Sequence, residues 1–303
     1  MAEKLLVSGS IAYDCIETPL DKADYILGGS ASYASLASSY FAPTLISGIV
    51  GNDFKESDVK RLTARAIDIS NIKFEQSKPT FFWRGKYHDN FNSRETLDVQ
   101  VNVYEDYKPE LNAEARSAKY VLLGNISPVV QTAVLDMIES PKFVIVDTMD
   151  LWINIERQAL EAIVKRADLL ILNDSEAKLF SGERNIICAG KKLMGLGAKS
   201  VIIKTGEYGA MLFHKDGFFV VPAFPIESLH DPTGAGDSFA GALAGYLAGC
   251  DDTSFEAIRK GMVVASATAS MTDESFSCYK LEENGLDEIN RRRDYIKKIS
   301  CSD

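Results

Sequence analysis

Five short stretches of this chain are apolar at nearly every position: 4–8, 120–123, 143–146, 169–172 and 200–203. Runs of that kind suit strands buried on both faces of a parallel sheet. Helical spacing of apolar residues fills the gaps between them, over 128–139, 152–165 and 185–196. The alternation of strand and helix predicts an α/β fold, a three-layer, doubly wound and mostly parallel sheet. No internal repeat or low-complexity linker interrupts it, so a single domain is expected over 1–303.

A different pattern occupies 97–104. Leu97, Val99, Val101 and Val103 alternate with Asp98, Gln100, Asn102 and Tyr104. A period of two predicts a strand with one wet face. Residues 80–87 are also strand-like, and 88–95 form a polar turn between the two. Together with one or two short strands inside 14–27, these predict a small β-flap beside the main sheet. Such a flap either covers a substrate or is a plain edge hairpin.

Composition narrows the possibilities. The net charge of −10 on 303 residues argues against nucleic acid and against an anionic membrane as partners. The five cysteines (Cys15, Cys188, Cys250, Cys278, Cys301) are scattered without a CxxC. They read as reduced thiols rather than a disulfide framework or zinc site. The three histidines are far apart, which disfavours a histidine metal cluster. The N-terminus runs directly into the strand-like Leu5, Leu6 and Val7 without the apolar run of a signal peptide, so a cytoplasmic location is expected. Gly241, Gly245 and Gly249 recur every four residues, but the apolar run around them is too short to span a bilayer. The expectation is a soluble helix whose glycine face lies close against a sheet. Residues 291–298 read as a solvated helix face.

Polar segments follow the apolar runs at 125–128, 147–150, 173–176 and 204–209. They therefore collect at the carboxyl edge of the sheet, where open α/β folds bind ligands. The most informative segment is Asp231-Pro-Thr-Gly-Ala-Gly-Asp237, followed by small residues. Its glycines leave backbone N–H groups open at a helix start, a nest for an anion such as phosphate. An acidic Asp237 in that turn makes chemical sense as a base that takes a proton from an attacking alcohol. It is equally readable as an N-cap. Asn173 and Glu176 offer oxygen ligands for hydrated Mg²⁺, or a cap supplied by Asp174 or Ser175. Gly206 and Gly209 fit a hairpin turn, with Thr205 adding a hydroxyl. Gly28 and Gly29 permit close approach to a polyhydroxylated ligand, or a tight strand-to-helix turn. The segment 195–200 looks like a P-loop in the wrong order, since it ends a helix and precedes a strand.

Taken together, these segments resemble the ribokinase-type (PfkB) carbohydrate kinase family. Asp231 to Gly241 is close to that family's C-terminal signature, and Asn173-x-x-Glu176 and Lys204 to Gly209 are similar to its magnesium and nucleotide segments. Gly9 to Asp14 and Gly28-Gly29 are similar to its acceptor-binding elements. The resemblance runs from about Val7 to Thr272. It implies a ribokinase-like fold with a lid at 12–27 and 80–104, and phosphoryl transfer from ATP with Mg²⁺ to a primary hydroxyl of a small sugar or nucleoside. Asp237 would be the base, and Gly234, Ala235 and Gly236 the anion hole. Asn173 and Glu176 would serve Mg²⁺ and phosphates, while Lys204, Thr205, Gly206, Gly209 and part of 263–272 would line the ATP site. Asp14, Gly28, Gly29 and Tyr33 would meet the acceptor, and Asp231 and Thr233 a K⁺-like ion. The lid would pair two copies into a homodimer. Ala12 and Tyr33 replace two asparagines common in sugar kinases, and Tyr33 could offer a stacking surface to a nucleoside base. For Phe81, Phe82 and Trp83, packing within the lid is the plainer expectation.

Overall fold

Successive side chains along a strand point to opposite faces, and the apolar runs use both. Leu5 and Val7 enter one buried cluster and Leu6 the other; Tyr120 and Leu122 oppose Val121 and Leu123 in the same way, as do Leu169 and Ile171 against Leu170 and Leu172. The computed structural model describes residues 2–89, 91 and 93–300. In chain order its elements begin β1 (Leu5–Ser8), β2 (Ala12–Glu17), β3 (Lys22–Gly28), α1 (Ser30–Ser38), β4 (Thr44–Val50), α2 (Glu56–Ala64), β5 (Asp68–Phe74), β6 (Phe81–Tyr87) and β7 (Arg94–Gln100). Next come α3 (Ala113–Arg116), β8 (Tyr120–Leu123), α4 (Pro128–Met137), β9 (Phe143–Asp147), α5 (Asp150–Ile155), α6 (Arg157–Val164), β10 (Leu169–Asn173), α7 (Asp174–Ser181) and α8 (Ile186–Gly195). The chain closes with β11 (Ser200–Lys204), β12 (Ala210–His214), β13 (Gly217–Val221), α9 (Ala235–Cys250), α10 (Phe255–Thr272) and α11 (Tyr279–Ser300).

Nine strands form the main sheet in the order β13-β12-β11-β10-β9-β8-β1-β4-β5. It is parallel from β5 to β11, and the edge strands β12 and β13 are antiparallel. Residues of α1, α9, α10 and α11 cover one face, and residues of α4, α6, α7 and α8 the other. The result is the three-layer α/β arrangement. The strand order reverses at β1, so the carboxyl ends of the central strands open onto the crevice where such sheets bind ligands.

A second sheet has the order β3-β2-β6-β7. The alternation at 97–104 does not mark a half-buried strand there. Strand β7 ends at Gln100 and is exposed throughout, with Leu97 48% and Val99 45% exposed. Only Val103, beyond the strand, turns inward against Ile49, Tyr107 and Ile126. Asn90 and Asn92, in the polar turn, and Cys301 lie outside the described residues. Phe82 is buried with Tyr13 and Cys15, so packing accounts for that ring.

Three further expectations are corrected. The glycine face of α9 packs on a helix, not a sheet: a Cβ at Gly241 would stand 2.2 Å from the Ala34 carbonyl oxygen, and one at Gly245 2.7 Å from that of Ser38. The helix expected over 152–165 breaks at Glu156, whose φ of −127° is not helical. Arg292 is buried, not solvated; it donates to Ser270, Glu274 and Glu288 and so ties α11 to the end of α10. The four described cysteines carry free thiols, and no described helix is long and apolar enough to cross a membrane.

Candidate active site

The turn before α9 is built around Gly234, the N-cap, at φ 78°. Only glycine takes that left-handed conformation without strain. A side chain there would also strike the Tyr33 ring, 2.3 Å from its Cβ position. Tyr33 is therefore a floor beneath the nest. At 2% exposure it presents no open face to a base, contrary to the stacking role expected of it. Gly234 holds the N-cap and Asp237 is the third residue inside α9, which removes the N-cap reading. Its side chain is partly open, beside the nest. Burial pushes its carboxyl up to about 7; Asp147 adds to the shift, and Lys204 and Arg94 oppose it.

Asp231 anchors the same turn. Its Oδ1 accepts from the Thr233 N–H at 2.9 Å, and its own N–H and that of His230 donate to the Asp273 carbonyl. Its Oδ2 is buried without a partner among the described residues. Thr233 reaches the second sheet, where its hydroxyl hydrogen-bonds the Tyr87 hydroxyl at 3.0 Å.

Asp14, on β2, is buried. The carboxyl occupies the space that a side chain on Gly28 would need, 1.9 Å from that Cβ position. Gly28 thus admits Asp14 rather than a ligand directly, and Gly29, at φ 88°, lies against Ser10 and Ala12. Burial pushes Asp14 up to about 8, helped by the charges of Asp231 and Asp237 and opposed by Arg94.

At the opposite side of the crevice, β10 passes straight into α7. Asn173, rather than Asp174 or Ser175, is the cap. Its Oδ1 accepts from the Glu176 N–H at 2.8 Å, and Glu176 Oε2 accepts from the Asn173 N–H at 2.7 Å. This reciprocal box satisfies two open donors of the helix and fixes Glu176 through one oxygen, leaving the second outside the box. Burial pushes Glu176 up to about 7, against the pull of Lys204. Thr205, Gly206 and Gly209 form the turn between β11 and β12, and the Thr205 hydroxyl donates to the Gly209 carbonyl at 3.0 Å. That bond commits the hydroxyl proton to the turn.

The site also contains groups that no motif marked. Asp147, at the end of β9, lies 3.6 Å from the Lys204 ammonium. Arg94 leaves the second sheet, hydrogen-bonds Tyr87 and counters the charges of Asp14 and Asp237. Asp273 holds the Asp231 turn through its carbonyl, and burial pushes its carboxyl up to about 7, with Asp231 adding to the shift. A strand-end position was the only sequence signal for Asp147; Arg94 sat in a polar turn without one.

The model of the pfkB family carbohydrate kinases matches residues 2–278. A cytidine kinase from Thermococcus kodakarensis is 31% identical over 254 residues, covering 81% of this chain and 89% of its own. Among solved structures, a Burkholderia thailandensis nucleoside kinase in complex with inosine aligns over 96% of this chain and 97% of its own, with a TM-score of 0.76 at 20% identity. An Arabidopsis thaliana ribokinase complexed with ribose and ATP aligns over 97% and 99%, also at 0.76, with 19% identity.

Proposed function

The chain belongs to the pfkB family of carbohydrate kinases, phosphotransferases with an alcohol acceptor, and within that class we propose the roles of its residues. The substrate is a primary hydroxyl of a small sugar, free or carried in a nucleoside, and the donor is the γ-phosphoryl group of ATP. The observation that carries this reading is Asp237, partly open and beside a nest whose N-cap is the positive-φ Gly234. Asp14 holds the acceptor. Asp237 takes the hydroxyl proton as the oxygen attacks phosphorus. The N–H groups of Gly234 and Gly236, and that of Ala235 once it leaves its 3.3 Å bond to the Pro232 carbonyl, stabilise the charge that develops on the phosphoryl oxygens.

Mg²⁺ fits the Asn173–Glu176 region. The donors are oxygens, Glu176 keeps one oxygen free of the capping box, and Mg²⁺ is held by one or two carboxylates with several waters. When bound it would neutralise charge between the phosphates. A K⁺-like ion fits beside Asp231, whose buried Oδ2 has no partner among the described residues. Pairing of two copies through the exposed Leu97 and Val99 stripe of β7 is the matching reading for the lid; a monomer in sedimentation at micromolar concentration would remove it.

A nucleoside acceptor has one specific support, the 31% identity to a cytidine kinase over most of both chains. Tyr33 adds nothing to it. Release of ADP from Mg-ATP, measured across pentoses, hexoses, sugar acids and nucleosides, tests both readings. We expect turnover with at least one of these acceptors, and none without an acceptor. Silence across the panel would refute the kinase assignment.

A further inference from the structure

Lys204 is the last residue of β11, and its side chain reaches the start of α9. A Cβ at Gly236 would stand 2.8 Å from its ammonium nitrogen, so the charge lies against the last residue of the nest. The side chain is only 18% exposed, and Asp147, 4% exposed, faces it at 3.6 Å. Asp147 cannot follow the lysine elsewhere. Its Oδ1 accepts from the Thr148 N–H at 3.0 Å, and its carbonyl accepts from the buried Gln131 amide at 2.9 Å. Gln131 also donates to the Gly124 carbonyl at 2.9 Å, so the ends of β8 and β9 are stapled together. A buried, uncommitted ammonium is costly. A fixed carboxylate beside it lowers that cost and sets where the charge points.

We propose that Lys204 is a catalytic residue that stabilises the migrating phosphoryl group at the nest, and that Asp147 is its positioning residue. This rests on the kinase reading. In the step, the acceptor oxygen forms its bond to the γ-phosphorus, the bond from phosphorus to the bridging oxygen breaks, and the electron pair leaves on ADP. The acceptor proton goes to Asp237. Lys204 transfers no proton; its charge meets the negative charge spread over the phosphoryl oxygens. A lysine serving only to bind ATP would change nucleotide affinity, whereas this one changes turnover.

The test begins with wild-type ADP formation; without it, the kinase reading fails before the lysine is judged. Lys204→Met keeps much of the shape without the charge. It should lower kcat by about 100-fold or more, the scale of losing one preorganised transition-state contact. The dissociation constant for a non-hydrolysable ATP analogue should stay within about threefold, because the contact forms mainly in the transition state. Asp147→Asn should lower kcat about tenfold by misplacing the lysine. The double variant should be no slower than Lys204→Met, because residues acting as a unit are not additive. Near-normal kcat in Lys204→Met would overturn the proposal, as would losses that multiply in the double variant. Where Asp147→Asn gives no cooperative melt, Asp147→Glu enters the same cycle and is judged by the same criterion.

Discussion

At the scale of single residues, the site is a set of carboxyls whose ordinary acidity has been weakened by burial. Asp237 sits highest in consequence, because a base must be ionised to accept a proton. Its carboxyl is pushed up to about 7 in the ligand-free protein, with Lys204 and Arg94 holding it from rising further. The sign follows directly: below pH 7 the protonated fraction grows and activity falls, and above it the base is available. We expect kcat/KM, which reports the free enzyme, to rise as pH increases through about 7. Removing the cation of the second sheet with Arg94→Gln should move that limb to higher pH. Asp237→Asn should flatten what activity remains and cut kcat at least ~100-fold, the lower range for loss of a general base. A limb that stays below pH 5 would show that Asp237 ionises as an ordinary carboxyl, and near-normal kcat in Asp237→Asn would remove it from the role. The Asp237 motif was legible through its resemblance to a family signature, since the turn alone read equally as an N-cap. Asp147 was legible only as part of the 147–150 rim segment, without a role, and Arg94 not at all, because a charged residue at a strand end or in a turn is ordinary until the fold shows what it faces.

At the scale of elements, the helix that carries Asp237 is positioned by what its glycines leave out. A Cβ at Gly241 would lie 2.2 Å from a backbone oxygen of α1, which cannot swing aside as a side-chain tip would. Alanine in a helix is favoured over glycine by about 1 kcal/mol, whereas overpacking costs about 1–3 kcal/mol. The clash should win. Gly241→Ala is expected to lower the melting temperature by a few degrees at most, since 1 kcal/mol shifts it by about 2–4 °C in chains of about 150–250 residues and by less in longer ones. It should also reduce kcat, because Gly241 stands four residues, about one turn, after Asp237. Gly195→Ala is the control. It meets nothing within 4 Å at the end of α8, and should be neutral or stabilising. Equal melting temperatures for the two variants would show that α1 and α9 yield more easily than backbone contacts allow. The fourfold glycine spacing announced a close partner but could not say whether a helix or a sheet supplied it. The same limit explains β7: alternation separates two faces of a strand without saying what covers either. Strands β1, β8, β9, β10 and β11 were readable because burial on both faces makes them apolar throughout. Strand β4 carries Ser47 and Gly48 inside its run, and β5 mixes Asp68, Asn71 and Lys73 with its apolar positions. Both lie on the side of the sheet where the pattern is weakest.

At the scale of the whole molecule, one crevice concentrates acidity that folding has made expensive to ionise. Burial is the first cause for Asp14 (about 8), Glu176 (about 7), Asp237 (about 7), Asp273 (about 7) and Asp231 (about 6). In the unfolded chain the same groups ionise near the ordinary carboxylate range, about 4. Between these limits the folded protein therefore holds more protons than the unfolded one. Stability that is present at low pH is then lost as pH rises through the folded-state values. His214, whose pKa burial lowers, works in the other direction, but it is one group against five. The ligand-free protein should accordingly melt at a higher temperature at pH 5.5 than at pH 8 in metal-free buffer. The loss should be smaller with MgCl₂ and KCl than with choline chloride at the same ionic strength, because bound cations favour the ionised carboxylates of the folded state. A melting temperature that climbs from pH 5.5 to 8 would mean these carboxyls ionise freely in the fold. Recovery that choline matches would mean the cations act by general screening rather than beside Asp231 and Glu176. The crevice that lowers the stability of the empty protein near neutral pH is thus the one that cations and phosphates should restore.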